Sequence, residues 1–178
     1  MRVDNINMLN DTMAIMDRGY YEVNGKRVNL KLSEKERKEV FVFLPKDVKR
    51  ISDNKDFHHV HVMGRIGVGC VNMDSYSLAI KRYSDCSYMF SKKSKPILVL
   101  NLANPVNPGG GVRRGSKAQE EDLCRKSSLL LSLESLEASV YYKYNKSLNT
   151  YMGSDAVMVT PQVEIIKDEN GSLLDESV

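Results

Sequence analysis

The residue types best suited to chemistry are concentrated in residues 101–124, NLANPVNPGGGVRRGSKAQEEDLC. Gly109, Gly110 and Gly111 are consecutive. Without a Cβ, glycine lets backbone N–H groups come close to an anion and accepts positive φ, so such a loop can hold a phosphate or a ribose. Three glycines also describe an ordinary flexible turn. Ser116 lies three residues before Gln119, the spacing of a capping box, which predicts a helix start at about residue 117. Gln119, Glu120 and Glu121 then occupy its first turns, where acidic side chains are favoured by the helix dipole whether or not they have a function. Consecutive helical residues point about 100° apart, so Glu120 and Glu121 would serve different atoms of a ligand.

The elements that must position these residues follow from periodicity. Ile6, Leu9, Met13 and Met16 recur at helical spacing before Gly19, which predicts an amphipathic helix over 5–18. Asn24-Gly25 between apolar positions predicts a hairpin over 20–30 with a type I′ turn. The charged run 33–39 reads as a solvated helix face or loop, and Ile51 to Phe57 as an exposed connection. Ile66 to Val71 has the β-branched content of a strand, and Asp74 can cap a helix that turns Tyr76, Ala79 and Ile80 inward.

The run Pro96 to Leu102 is continuously apolar and predicts a buried central strand leading into the glycine loop. A helical region over about 117–146, broken near Ser132 to Ser135, precedes a strand near Ala156 to Thr160. A last hairpin pairs Val163–Ile166 with Ser172–Leu174 across Asp168 to Gly171. Alternating strands and helices give an α/β class.

The 178 residues are 42% hydrophobic and 28% charged, the profile of one globular domain rather than of a disordered or fibrous chain. No apolar run approaches the roughly 20 residues of a spanning helix, and the N-terminal residues lack the apolar block of a secretory signal, so a cytoplasmic protein without a membrane segment is expected. Cys70, Cys86 and Cys124 are odd in number and show no CxxC spacing, which suggests reduced thiols. A net charge of +3, with Lys and Arg dispersed, gives no indication of nucleic-acid binding. His59 and His61 would share a strand face with metal-ligand spacing, but no third ligand accompanies His58, His59 and His61, so no metal and no cofactor are expected. Arg113 and Arg114 are read either as phosphate partners or as solvated loop residues, and Tyr141, Tyr142 and Tyr144 as core. The glycines lack the following Lys-Ser or Lys-Thr of a P-loop, and G-G-G-V-R-R-G is not a Rossmann fingerprint.

Gly109–Gly111, the seven-residue spacer VRRGSKA and Gln119-Glu120-Glu121 together resemble the signature of the microbial poly(ADP-ribose) glycohydrolases, divergent macrodomains. Asn101-Leu-Ala-Asn104, Asp122-Leu-Cys-Arg-Lys-Ser, the N-terminal helix and the Gly-Tyr-Tyr-Glu-Val-Asn-Gly hairpin extend the likeness. The resemblance implies a macrodomain-like mixed sheet flanked by helices, with residues 1–60 as a helix and hairpin extension and 61–178 as a core portion. Family members continue well past the position of Val178, with a second diphosphate loop and much of the adenine pocket. The implied domain is thus incomplete at its C-terminus, and self-association or a complementing chain would complete it.

By the same resemblance Glu121 matches the catalytic glutamate, and Glu120 the neighbour that orients the terminal ribose. Asn104 matches the asparagine on that ribose, Gly109, Gly110, Gly111 and Val112 the loop over ribose and diphosphate, and Gln119 completes the motif. The implied substrate is ADP-ribose at the end of poly(ADP-ribose). Cutting its ribose–ribose O-glycosidic bond builds an oxocarbenium-like charge while the leaving hydroxyl takes a proton, so Glu121 would act as general acid and then as base toward water. The alternatives are a module that binds ADP-ribose without cleaving it and an inactive truncated fragment.

Overall fold

The computed structural model describes residues 2–54, 68–89, 97–150 and 152–178, with the side chains of 85–89 left aside. His58, His59, His61, Ile66, Gly67 and Pro96 lie outside the described residues, as does the side chain of Cys86. Among the described residues the chain is mixed α/β, with seven helices and two small sheets. The order is α1 (Arg2–Arg18), β1 (Tyr20–Val23), β2 (Lys26–Asn29), α2 (Glu34–Lys38), β3 (Phe41–Phe43), α3 (Pro45–Ser52), α4 (Ser75–Met89), a 3-10 turn (Val112–Arg114), α5 (Gln119–Lys126), α6 (Leu129–Leu133), α7 (Ser139–Ser147) and β4 (Val157–Val159). No described helix is long and apolar enough to cross a membrane.

The N-terminal elements form as their residues dictate. Helix α1 buries Leu9, Thr12, Ile15 and Met16 and stops at Gly19, whose N–H donates to the Ile15 carbonyl at φ +77°. β1 and β2 pair antiparallel from Tyr20↔Asn29 to Val23↔Lys26, and Asn24 and Gly25 both take the positive φ of a type I′ turn. Ser33 and Glu36 close a capping box on α2, so the charged run is a short helix. The Asp74 carboxylate accepts from the N–H groups of Tyr76 and Ser77 at the start of α4, which buries Tyr76 and Ala79.

Three apolar clusters hold the elements together. Leu9 of α1 packs with Tyr76, Val112, Leu123, Cys124, Leu130 and Ile165, and Ile15 and Met16 pack with Tyr21 and Ile166. Helix α1 and the hairpin therefore share their cores with the segment that carries the carboxylates. Val40, Ala138, Tyr141, Tyr142 and Ala156 form the third cluster, beneath the antiparallel pair β3–β4.

Several expectations are corrected. Residues 97–104 carry no strand pairing among the described residues, and Leu98, Leu100 and Leu102 are 92%, 73% and 70% exposed. The segment covers only one of its faces, with Val99 against the core and the leucines turned outward. Residues 68–71 form no strand either, because nothing described pairs with them. The helical region breaks twice: Ser127 is extended and bridges Ile165 antiparallel, which separates α5 from α6, and a turn at 134–138 separates α6 from α7. Ser116 makes no capping box. Its carbonyl accepts from Arg125, and α5 begins at Gln119 after Ala118, which has no side-chain cap. The last hairpin keeps its turn, with Asp168 N–H on the Ser172 carbonyl, but has only the isolated bridge Lys167↔Leu173 in place of regular strands.

Candidate functional site

Helix α5 begins between the extended segment 97–104, which Gln119 and Glu120 bond, and the glycine loop, which Glu121 bonds. Gln119 turns to the extended segment. Its Oε1 accepts from Leu102 N–H at 2.8 Å, and its Nε2 donates to the Leu100 carbonyl at 2.8 Å and to Ser75 Oγ at 3.2 Å. Its carboxamide thus bonds the backbone as a neighbouring strand would, and it holds the segment in place.

Glu120 is 3% exposed, and its Oε2 accepts from Asn104 N–H at 2.8 Å while Oε1 takes a longer bond of 3.5 Å from Asn101 Nδ2. Burial holds its pKa above the ordinary carboxylate value, against the pull of the Asn104 and Asn101 hydrogen bonds. The charge of Glu121 pushes the same way as burial.

Glu121 is 7% exposed and faces the glycine loop. Oε1 accepts from Gly111 N–H at 2.8 Å, while Oε2 is buried with no hydrogen-bond partner among the described residues. A buried unpartnered carboxylate oxygen is costly, and such atoms concentrate where a ligand or reaction requires them. The different directions of Glu120 and Glu121 are those expected from their helical offset.

The loop bridges both carboxylates closely. Gly109 and Gly110 take φ +65° and +58°. A Cβ on Gly110 would sit 2.6 Å from Glu121 Oε1 and 3.2 Å from Glu120 Oε2, so position 110 tolerates no side chain. A Cβ on Gly111 would collide with Ser116 Oγ. Val112 is buried in the core with Leu9, Leu123 and Leu130, so its side chain anchors the loop. Asn104 Oδ1 accepts from Val106 N–H at 2.9 Å and Asn107 N–H at 2.8 Å, an Asx turn that starts the loop while the backbone N–H of Asn104 holds Glu120. Among the described residues no protein group accepts from Asn104 Nδ2.

All eight residues singled out in the sequence therefore meet at one place: Glu120, Glu121, Asn104 and Gly109–Gly111 in contact or hydrogen-bonded, with Gln119 on the adjoining segment and Val112 in the core below the loop. Sequence reasoning missed Asn101, whose Nδ2 reaches Glu120 and whose Oδ1 is buried without a partner among the described residues. It also missed the fastening of the loop. Arg113 forms a bidentate pair with Glu134, at 2.9 and 2.6 Å, which fixes its guanidinium on the protein. Arg125, buried inside α5, donates to the Ser116 carbonyl at 2.5 Å. The i,i+3 position of Asn101 relative to Asn104 was the one visible signal. Arg113–Glu134 spans 21 residues and left none. Among the described residues no three His, Cys, Asp or Glu side chains gather as a metal site.

This constellation, two buried acids beneath a glycine bridge, coincides with a known family. The sequence model of the microbial-type PARG catalytic domain matches residues 10–168. The chain belongs to this family. No curated protein matches it. Among solved structures it is similar to the poly(ADP-ribose) glycohydrolase of Thermomonospora curvata bound to the inhibitor ADP-HPD, with a TM-score of 0.75 at 23% identity over 98% of this chain and 59% of that one. It is also similar to the Deinococcus radiodurans poly(ADP-ribose) glycohydrolase in complex with ADP-ribose, with a TM-score of 0.70 at 28% identity over 85% of this chain and 55% of that one. The chain thus spans less than two thirds of the length of the PARG structures it matches.

Proposed function

We propose that this PARG-family chain carries a macrodomain-type site for the terminal ADP-ribose of poly(ADP-ribose) and hydrolyses the ribose–ribose O-glycosidic bond. The observation that carries the reading is the state of Glu121. One of its oxygens lies against the glycine bridge, fixed by Gly111 N–H, and the other is buried with no hydrogen-bond partner among the described residues.

In this reading the terminal ribose lies between Asn104, whose Nδ2 donates to a hydroxyl, and Glu120, whose carboxylate accepts from one. Glu121 Oε2 gives its proton to the departing ribose oxygen as the C–O bond breaks and the bonding electrons leave with that oxygen. The anomeric carbon becomes oxocarbenium-like, stabilised by the adjacent diphosphate, and water adds to it while Glu121 takes back a proton. Gly109–Gly111 allow the backbone to close over the ribose and diphosphate.

The test is turnover of poly(ADP-ribose) beside calorimetric binding of ADP-ribose. Glu121→Gln should lose at least about 100-fold in turnover, the usual size of an acid–base contribution, and keep ADP-ribose affinity within a few fold. Unchanged turnover in that variant would refute the role of Glu121. Binding by the wild-type chain without turnover would establish the reader in place of the hydrolase.

A further inference from the structure

Helix α1 meets the far end of the glycine loop at Gly115, and we infer that Asn5 is a positioning residue for the site, making the N-terminal helix a brace for the loop. The inference rests on the reading of the site given above. Asn5 Nδ2 donates to the Gly115 carbonyl at 3.0 Å, across 110 residues of sequence. The approach is close: Gly115 has φ +74°, and a Cβ there would lie 2.6 Å from the Arg2 carbonyl oxygen.

From Gly115 the restraint passes through a tight turn. Gly115 N–H donates to the Val112 carbonyl at 3.0 Å, and Arg114 and Ser116 N–H groups both donate to the Gly111 carbonyl, at 2.9 and 3.2 Å. The N–H of that same Gly111 holds Glu121 Oε1. The loop is thus gripped at Gly115 by α1 and at Gly111 by the proposed acid. A second tie runs beside the first. Thr12 of α1 donates to the Arg125 carbonyl at 2.5 Å, and Arg125 donates to the Ser116 carbonyl at 2.5 Å. Thr12 is itself held by the buried Lys167 ammonium at 2.8 Å. Asn5 and Thr12 lie two helical turns apart on α1, so a rigid helix sets the spacing of both ties.

Asn5→Ala, compared with Asn7→Ala at an exposed position two residues along the same helix, tests the brace. Both substitutions change helix propensity equally, and only the first removes a bond to the loop. Amide exchange at Gly110–Gly115 should quicken about fivefold in Asn5→Ala, the worth of one hydrogen bond, while the amides of α5 keep wild-type protection. ADP-ribose affinity should fall by a similar factor, and Asn7→Ala should match wild type in both readouts. Wild-type loop exchange in Asn5→Ala, or the same change in Asn7→Ala, overturns the inference. Failure of the wild-type chain to bind ADP-ribose would instead strike the reading of the site, and the exchange measurement would still decide the brace.

Discussion

The two segments that flank the carboxylates are supported very differently. The glycine loop is held on every side: Val112 in the core, Arg113 on Glu134, Gly115 on α1, Ser116 on Arg125, and Gly111 on Glu121 itself. The extended segment 97–104 rests on one face through Val99 and is bonded along one edge, by Gln119 and Glu120, while Leu98, Leu100 and Leu102 face outward. The side that would move a proton is thereby preorganised. The side that would grip ribose hydroxyls depends on two side chains of α5. Electrostatic catalysis gains most where donors and acids need no reorganisation, so the tight fastening lies where the chemistry would demand it.

The largest effect should come from filling the glycine bridge. Gly110→Ala puts a methyl group 2.6 Å from Glu121 Oε1 at a φ of +58°. Strain at a left-handed position costs of order 1–3 kcal/mol, and displacement of the acid should add a loss of at least about 100-fold in polymer turnover. Wild-type turnover in that variant would mean that the bridge does not set the position of the acid.

Next comes the weaker segment. Gln119→Ala removes three hydrogen bonds, two of them to backbone groups of the segment. It should lower ADP-ribose affinity about tenfold and quicken amide exchange at Leu102 and Asn104, leaving Gly111 as protected as in wild type. Equal loosening of the loop and the segment would erase the contrast between them.

A stability effect with a definite sign follows from Glu120. Its folded pKa stands above its unfolded value of 4.5 because burial disfavours the charge. The folded state therefore binds the proton more tightly, and this group's contribution to stability is greatest at low pH and is lost as pH rises through the raised folded pKa. Glu120→Gln should flatten that part of the curve of melting temperature against pH and weaken ADP-ribose binding. A slope identical to wild type would mean that Glu120 is not the group responsible.

Smallest of all should be Leu100→Ser. A side chain 73% exposed changes stability by about 0.5 kcal/mol or less in denaturant unfolding, against the 2–5 kcal/mol of a core leucine. A loss in the larger range would mean that the segment is covered on both faces after all.

Local signals were the legible ones. The Asn24-Gly25 turn, the end of α1 at Gly19, the Asp74 cap and the meeting of the glycines with Glu120 and Glu121 are each set within a few residues, and each forms as expected. What the sequence did not disclose depends on contacts across long separations. An apolar run such as 97–102 predicts a buried strand only if partners cover both faces, and periodicity carries no information about partners. Ser116 had the spacing of a cap, but its carbonyl is taken by Arg125 and its hydroxyl lies against Gly111, a competition that spacing cannot reveal. The motif position of Gln119 likewise gives no sign that its amide bonds Leu100 and Leu102 as a strand neighbour would.

In the proposed reading the glycine bridge and the start of α5 present an acid to the anomeric oxygen of a terminal ribose. A crystal structure of the chain with ADP-ribose tests it most directly. The predicted result has the terminal ribose hydroxyls on Asn104 and Glu120, with Glu121 Oε2 about 3 Å from the anomeric oxygen. A ribose bound elsewhere, or Glu121 Oε2 turned away from that oxygen, would contradict it.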